Sequence, residues 1–327
     1  MRGAQVLAGA LILVASAQAA ECQGLPQPLQ ALSTGVWLAD GQLGESNPDN
    51  RGRVSSVLLV AEGSRLWALG SGPSPAAGRA LACQVRRQLG RRITDVISPW
   101  ARPELVLGVK GLGTEPAVRH WAHESVGRAM AEQCPHCVER LAQRLGSAAD
   151  DLGPSPIPAA QHLLQGEQGR LGPLQWWRLP RSEGRWVTVW RVDAAAGEPV
   201  WWVAHGLMSG PLPPDGRDGD LRLIQASARQ LAALAAADGP RARWLGEQGP
   251  PQPQVAARQL ADYWDQLLQT VVQAINEGAD ETAAPRAWPG LPTGWASHAW
   301  HAFNWQRAWR QEEARLMGAE PAAPVRP

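Results

Sequence analysis

Lysine, tyrosine and phenylalanine are all but missing from this 327-residue sequence, which has one of each: Lys110, Tyr263 and Phe303. Arginine is the main cation and 17 tryptophans are the main aromatics, a bias that a GC-rich coding sequence produces and that names no function. An excess of positive charge is missing too, because 31 Lys and Arg face 30 Asp and Glu for a formal net charge of +1. That balance has nothing to spare for neutralising a row of phosphates, so nucleic acid is excluded as the expected partner. After residue 20 no apolar run is long enough for a membrane-spanning helix. No serine has the Gly-x-Ser-x-Gly context of a nucleophile elbow, and the glycine-rich stretch Gly70-Ser71-Gly72-Pro73 lacks both the dinucleotide fingerprint and the phosphate-loop lysine. Cys134-Pro135-His136-Cys137 is followed by Val138 where haem attachment needs histidine.

What is present is enough for a packed core, with 44% hydrophobic and 19% charged residues. Arg2, the apolar run Val6 to Val14 and the small residues Ala15 to Ala20 have the three regions of a secretory signal peptide. Cleavage after Ala17-Gln18-Ala19 makes 1–19 the signal and 20–327 the mature chain, periplasmic or secreted. Glu21 before Cys22 does not suit lipoprotein processing. Export permits disulfides among Cys22, Cys83, Cys134 and Cys137. Three pairings are possible, and the simplest joins Cys134 to Cys137 and Cys22 to Cys83. The alternative for Cys134 and Cys137 is a redox pair, with a thiolate stabilised at a helix N-terminus. The preceding Ser125 to Gln133 already reads as helix, which favours the structural disulfide.

Apolar runs at Val54 to Val60 and Arg65 to Leu69 around Glu62-Gly63-Ser64 predict a β-hairpin. Leu81, Val85 and Leu89 share a helical face, Ile93 to Ile97 and Val118 to Trp121 read as strands, and a helix runs through Val126 and Met130. After Gly153 to Pro158 a second series begins, with strands at Leu174 to Leu179, Trp186 to Val192 and Val200 to Val203. A helix over 221–236, a strand over 243–245, a helix ending at Gly278 and a last helix over 303–316 complete it. This alternation is that of a layered α/β fold, in one domain over 20–327. His120 with His123, and His298 with His301, are three apart and could share a helical face as metal ligands, although two histidines without a third partner are more often structural.

The segment Thr94 to Gly108 resembles the signature region of the metallo-β-lactamase fold superfamily, in which a strand ends in H-x-H-x-D-H. Gly70 to Pro73 stands where that family has its Asp-Thr-Gly turn, and His123-Glu124-Ser125 follows at a similar distance. Trp201 to Gly210 looks like the strand ending in Gly-Asp, and Gly246 to Pro250 like the Gly-His-Gly-Pro turn. The C-terminal segment is similar to that of exported zinc metallohydrolases of quinoprotein relay systems. The resemblance implies a four-layer αββα sandwich with two C-terminal helices. It puts the ligand positions at Trp100, Arg102, Glu104 and Leu105, at Ser182 or Glu183, at Gly206 and at Glu247, with His205 and Gln248 lining the cleft.

Zinc hydrolysis needs neutral imidazoles and carboxylates around the metal, and most of these positions have lost them. Trp100 and Leu105 offer no ligand atom, Arg102 repels a dication, and a glycine replaces the bridging carboxylate. The expected reading is an exported protein without metal or other cofactor, in which Arg102 pairs with Glu104, Glu183 or Glu247 and Trp100 fills the vacated space. Such a protein would bind a small molecule or a periplasmic protein, in association with a quinoprotein dehydrogenase system. Two alternatives stand beside it: a hydrolase with a relocated zinc or another metal, and a thiol–disulfide protein acting through Cys134 and Cys137.

Overall fold

The computed structural model describes residues 28–113, 117–154, 157–193, 198–203 and 207–318. The signal segment 1–19, Cys22, His205 and Gly206 lie outside the described residues. The chain divides after Leu164 into two compact units.

The first unit has a seven-stranded sheet whose strands lie side by side in chain order: β1 (Gln30–Ser33), β2 (Val36–Ala39), β3 (Val57–Glu62), β4 (Arg65–Leu69), β5 (Asp95–Ser98), β6 (Arg119–His123) and β7 (His162–Leu164). The strands from β1 to β4 pair antiparallel, and those from β4 to β7 pair parallel. Val57 to Val60 and Leu66 to Leu69 are continuous apolar runs rather than alternating ones because both of their faces are buried. On one face Val57, Leu59, Leu66, Ala68 and Val96 meet Leu81 and Val85 of helix α1 (Pro75–Leu89). Each fully buried Leu or Val there contributes roughly 1.5–3 kcal/mol. Helix α1 starts where the Ser74 side chain accepts the Ala77 N–H and Pro75 supplies a helical φ, and it ends at Gly90, whose φ of 62° is left-handed. The one-turn helix α2 (Pro103–Val106) and the longer α3 (Glu124–Leu145) follow β5 and β6.

The second unit has a six-stranded sheet in the order β13-β12-β11-β10-β9-β8. Its strands are β8 (Gln168–Leu171), β9 (Leu174–Ser182), β10 (Arg185–Val192), β11 (Val200–Trp202), β12 (Arg243–Leu245) and β13 (Gln252–Pro253). Register places Trp176, Trp190 and Trp202 on one face, all buried, and Trp177, Trp201 and Trp244 on the other. Trp201 and Trp244 stack with centroids 4.9 Å apart. Helix α4 (Leu221–Ala235), capped by the Asp220 carboxylate, crosses from β11 to its parallel neighbour β12. The C-terminal pair α5 (Ala256–Asn276) and α6 (Ala299–Leu316) packs together, joined by Tyr263 Oη and His301 Nδ1 at 3.1 Å and by Asn304 Nδ2 donating to Tyr263 Oη at 2.9 Å. Two mixed sheets with helices, the last two C-terminal, make the chain α/β as expected. Among the described residues no helix is long and apolar enough to cross a membrane.

Two sequence expectations are corrected here. Cys134 and Cys137 are free thiols, not a local disulfide. They lie in the middle of α3, where Cβ atoms three residues apart are about 5–6 Å from each other, whereas a disulfide needs about 3.5–4.5 Å. Cys83 is not among the free thiols, and its expected mate Cys22 lies outside the described residues. His120 and His123 do not share a helical face, because they stand on strand β6, where an odd separation puts side chains on opposite faces.

Candidate functional site

Residues 99–106 follow the C-terminal end of β5, and backbone contacts hold them in place. The Gly70–Pro73 turn leaves β4 with φ of 85° at Gly70 and 93° at Gly72, values that favour glycine. Ser71 donates to the Leu105 carbonyl from both its backbone N–H, at 2.8 Å, and its hydroxyl, at 3.0 Å. Gly108 N–H donates to the Gly72 carbonyl at 2.9 Å. Pro103 supplies the first helical φ of α2, while Arg102 precedes it in an extended conformation (φ −125°, ψ 131°).

This local geometry brings Arg102 and Glu104 together. Arg102 Nε donates to Glu104 Oε2 at 3.0 Å, and Ser46 Oγ donates to Glu104 Oε1 at 2.9 Å. Their side chains are only 14% and 6% exposed, so the pair is sheltered from solvent screening. Burial by itself would raise the Glu104 carboxyl, but the Arg102 charge, Glu104's own backbone N–H and the hydrogen bonds from Arg102 and Ser46 together leave it below the usual carboxylate range. Of the three partners considered for Arg102, Glu104 is one that the structure provides. Trp100 is half-buried and Leu105 is fully buried.

The remaining expected positions belong to the second unit. Ser182 ends β9 and is half-buried, and Glu183 is exposed in the β9–β10 turn. Glu247 and Gln248 are fully buried in the turn after β12, where Glu247 N–H donates to the Met208 carbonyl at 3.0 Å. A Cβ placed on Gly210 would lie 1.9 Å from the Gln248 carbonyl oxygen, so this turn requires glycine opposite it.

Ser46 and Ser98 carry no sequence signal, whereas His120, His123 and His298 stand out in the sequence only as possible metal ligands. Ser46 lies 58 residues before its partner Glu104. Ser98 Oγ and His120 Nε2, at the ends of neighbouring strands, are 2.7 Å apart, while His120 Nδ1 lies 3.0 Å from the Ala159 carbonyl. Donation from Nδ1 to that carbonyl leaves Nε2 to accept from the serine hydroxyl. Burial, partly offset by the Ala159 contact, pushes the His120 pKa down to about 4, and both side chains are closed to solvent. His123 caps α3 by accepting the Ser125 N–H, and His298 caps α6 by accepting the Trp300 N–H. Both histidines thus have structural roles.

The donor set that the resemblance implies does not fit zinc at its described positions in the first unit. Arg102 carries a permanent positive charge and no lone pair, the Trp100 indole is a donor only, and Leu105 is hydrocarbon. Both Glu104 oxygens already accept hydrogen bonds within this segment's own network. Among the described residues no group of three or more His, Cys, Asp or Glu side chains is arranged to hold a metal.

No family model matches the sequence, and no curated protein matches it. Solved structures do. A metallo-β-lactamase from Hirschia baltica is 14% identical, with a TM-score of 0.54 over 73% of this chain and 98% of that one. One from Erythrobacter litoralis is 15% identical, with a TM-score of 0.55 over 73% and 96%. The metallo-β-lactamase FIM-1 from Pseudomonas aeruginosa, in its mono-zinc form, is 15% identical, with a TM-score of 0.54 over 75% and 98%. At these identities the likeness is one of architecture: this chain has the α/β fold of the metallo-β-lactamases.

Proposed function

We propose that residues 20–327 form an exported, non-catalytic scaffold that binds a small molecule or a periplasmic protein instead of hydrolysing a substrate at a zinc centre. The observation that carries this reading is the buried Arg102–Glu104 ion pair at 3.0 Å, in the segment where the sequence resemblance puts the metal ligands. A fixed guanidinium placed on the Glu104 carboxylate supplies positive charge there and opposes a dication. FIM-1 has a mono-zinc form on the same fold; here Trp100, Arg102 and Leu105 cannot replace imidazoles as donors. Association with a quinoprotein dehydrogenase system rests on the resemblance of the C-terminal segment.

Metal analysis of the exported protein, purified without chelator or added metal, tests the reading together with an assay of β-lactam hydrolysis. The expected result is zinc far below one ion per chain and no hydrolysis above buffer. Near-stoichiometric zinc accompanied by hydrolysis would overturn it.

A further inference from the structure

The two free thiols of α3 lie outside the segment just described and have no part in its hydrogen bonds. Cys134 is fully buried and Cys137 half-buried, one turn apart on neighbouring positions of the same helical face. Arg140 Nη2 donates to Cys137 Sγ at 3.4 Å. The spacing that excludes a disulfide suits a different bridge. Two metal–thiolate bonds of about 2.3 Å each, joined in a line, put the sulfurs about 4.6 Å apart. An intact helix with Cβ atoms about 5–6 Å apart supplies that separation without unwinding.

We propose that Cys134 and Cys137 form a two-coordinate site for a soft monovalent cation, Cu(I), held between two thiolates on one face of α3. Thiolates are the soft donors that select Cu(I), while structural zinc takes four donors in a tetrahedron. His136, between the two cysteines, is 68% exposed, and its Nδ1 lies 3.8 Å from Glu139. Binding exchanges two S–H bonds for two S–Cu bonds: two thiols and Cu(I) give a bis-thiolate complex of charge −1 and release two protons, with no change of oxidation state. The Arg140 guanidinium faces that negative charge at Cys137. Burial, with Cys137 and Glu104 adding to it, pushes the Cys134 thiol up to about 12, so it stays protonated until a metal displaces the proton.

The inference is independent of the non-catalytic reading, since it concerns copper at thiols and not zinc at the β5 segment. The test is an anaerobic titration of the reduced full chain with Cu(I) in competition with a coloured Cu(I) chelator. One Cu(I) per chain should be withdrawn from the chelator, and Cys134→Ser and Cys137→Ser should each abolish this. Cys137 is half-buried, so Cys137→Ser, with its helical content checked by circular dichroism, keeps the test decisive if Cys134→Ser fails to fold. The proposal is wrong if the wild-type chain withdraws no copper, if Cys137→Ser withdraws as much as wild type, or if Zn(II) occupies the pair as tightly as Cu(I).

Discussion

Removing the guanidinium of Arg102 leaves Glu104 with a side chain only 6% exposed and a single remaining side-chain donor, Ser46. Breaking a buried pair in this way costs on the order of 3–5 kcal/mol, whereas replacing both partners with apolar groups of similar volume costs far less. Arg102→Ala should therefore lower the urea midpoint strongly, and Arg102→Met combined with Glu104→Leu should recover much of the loss. A midpoint unchanged by Arg102→Ala would show that the pair contributes nothing to the fold. His120 has a different dependence on pH. Its folded pKa is depressed from 6.5 to about 4, so between those values the unfolded chain binds a proton that the native chain does not. Stability is thus lost as pH falls from 6.5 towards 4, by on the order of 3 kcal/mol at 1.36 kcal/mol per unit. Denaturant melts across that window should show the slope, and His120→Gln should flatten it. The loss from Glu104 belongs to lower pH, because its stabilisation is present above its unfolded value and disappears only as pH falls through its depressed folded value.

At the scale of elements, α1 approaches the turn over Leu107–Gly111 closely enough for its backbone to meet it directly. A Cβ on Gly78 would lie 1.9 Å from the Gly108 carbonyl oxygen, and one on Gly108 would lie 1.9 Å from that of Ser71. Alanine is the better helix former by about 1 kcal/mol, but the opposing atom is a main-chain oxygen that cannot move aside alone. Overpacking of this kind costs about 1–3 kcal/mol or more. Gly78→Ala should therefore be destabilising in thermal melts despite its helix propensity, and a gain in stability would contradict the close approach.

The elements that the sequence made legible are those with strong periodicity. The β3–β4 hairpin, α1, the β9–β10 pair, α4 and α5 all stand where the apolar spacing puts them. Strands β7 and β8 went unread because His162–Leu164 and Gln168–Leu171 are half-buried or exposed and have no apolar alternation. Helix α3 continues past Pro135, a residue that removes one helical hydrogen bond, and so carries the C-x-x-C pair in its middle. The three-residue spacing of His120 and His123 suggested one helical face, but the neighbouring strands β5 and β7 draw that stretch into the parallel sheet.

For the whole molecule, fold and chemistry rest on different physical requirements. The architecture matches metallo-β-lactamase structures at 14–15% identity, while the segment after β5 holds a buried ion pair. A fold is kept by burial and backbone pairing, which many sequences satisfy, but a metal needs particular lone pairs at particular places. The metal assay proposed above is therefore a test of the site and leaves the fold unquestioned.

The strongly periodic strands and helices, and the absence of metal-donor atoms from the side chains of Trp100, Arg102 and Leu105, were determined by the sequence alone, because periodicity and side-chain chemistry are local properties. Tertiary structure decided that the Arg102–Glu104 pair is buried, that Ser46 joins it from 58 residues away, and that Cys134 and Cys137 remain thiols. The physical reason is that pairing and burial depend on distances between segments far apart in the chain, or on the backbone geometry a segment adopts once it is packed.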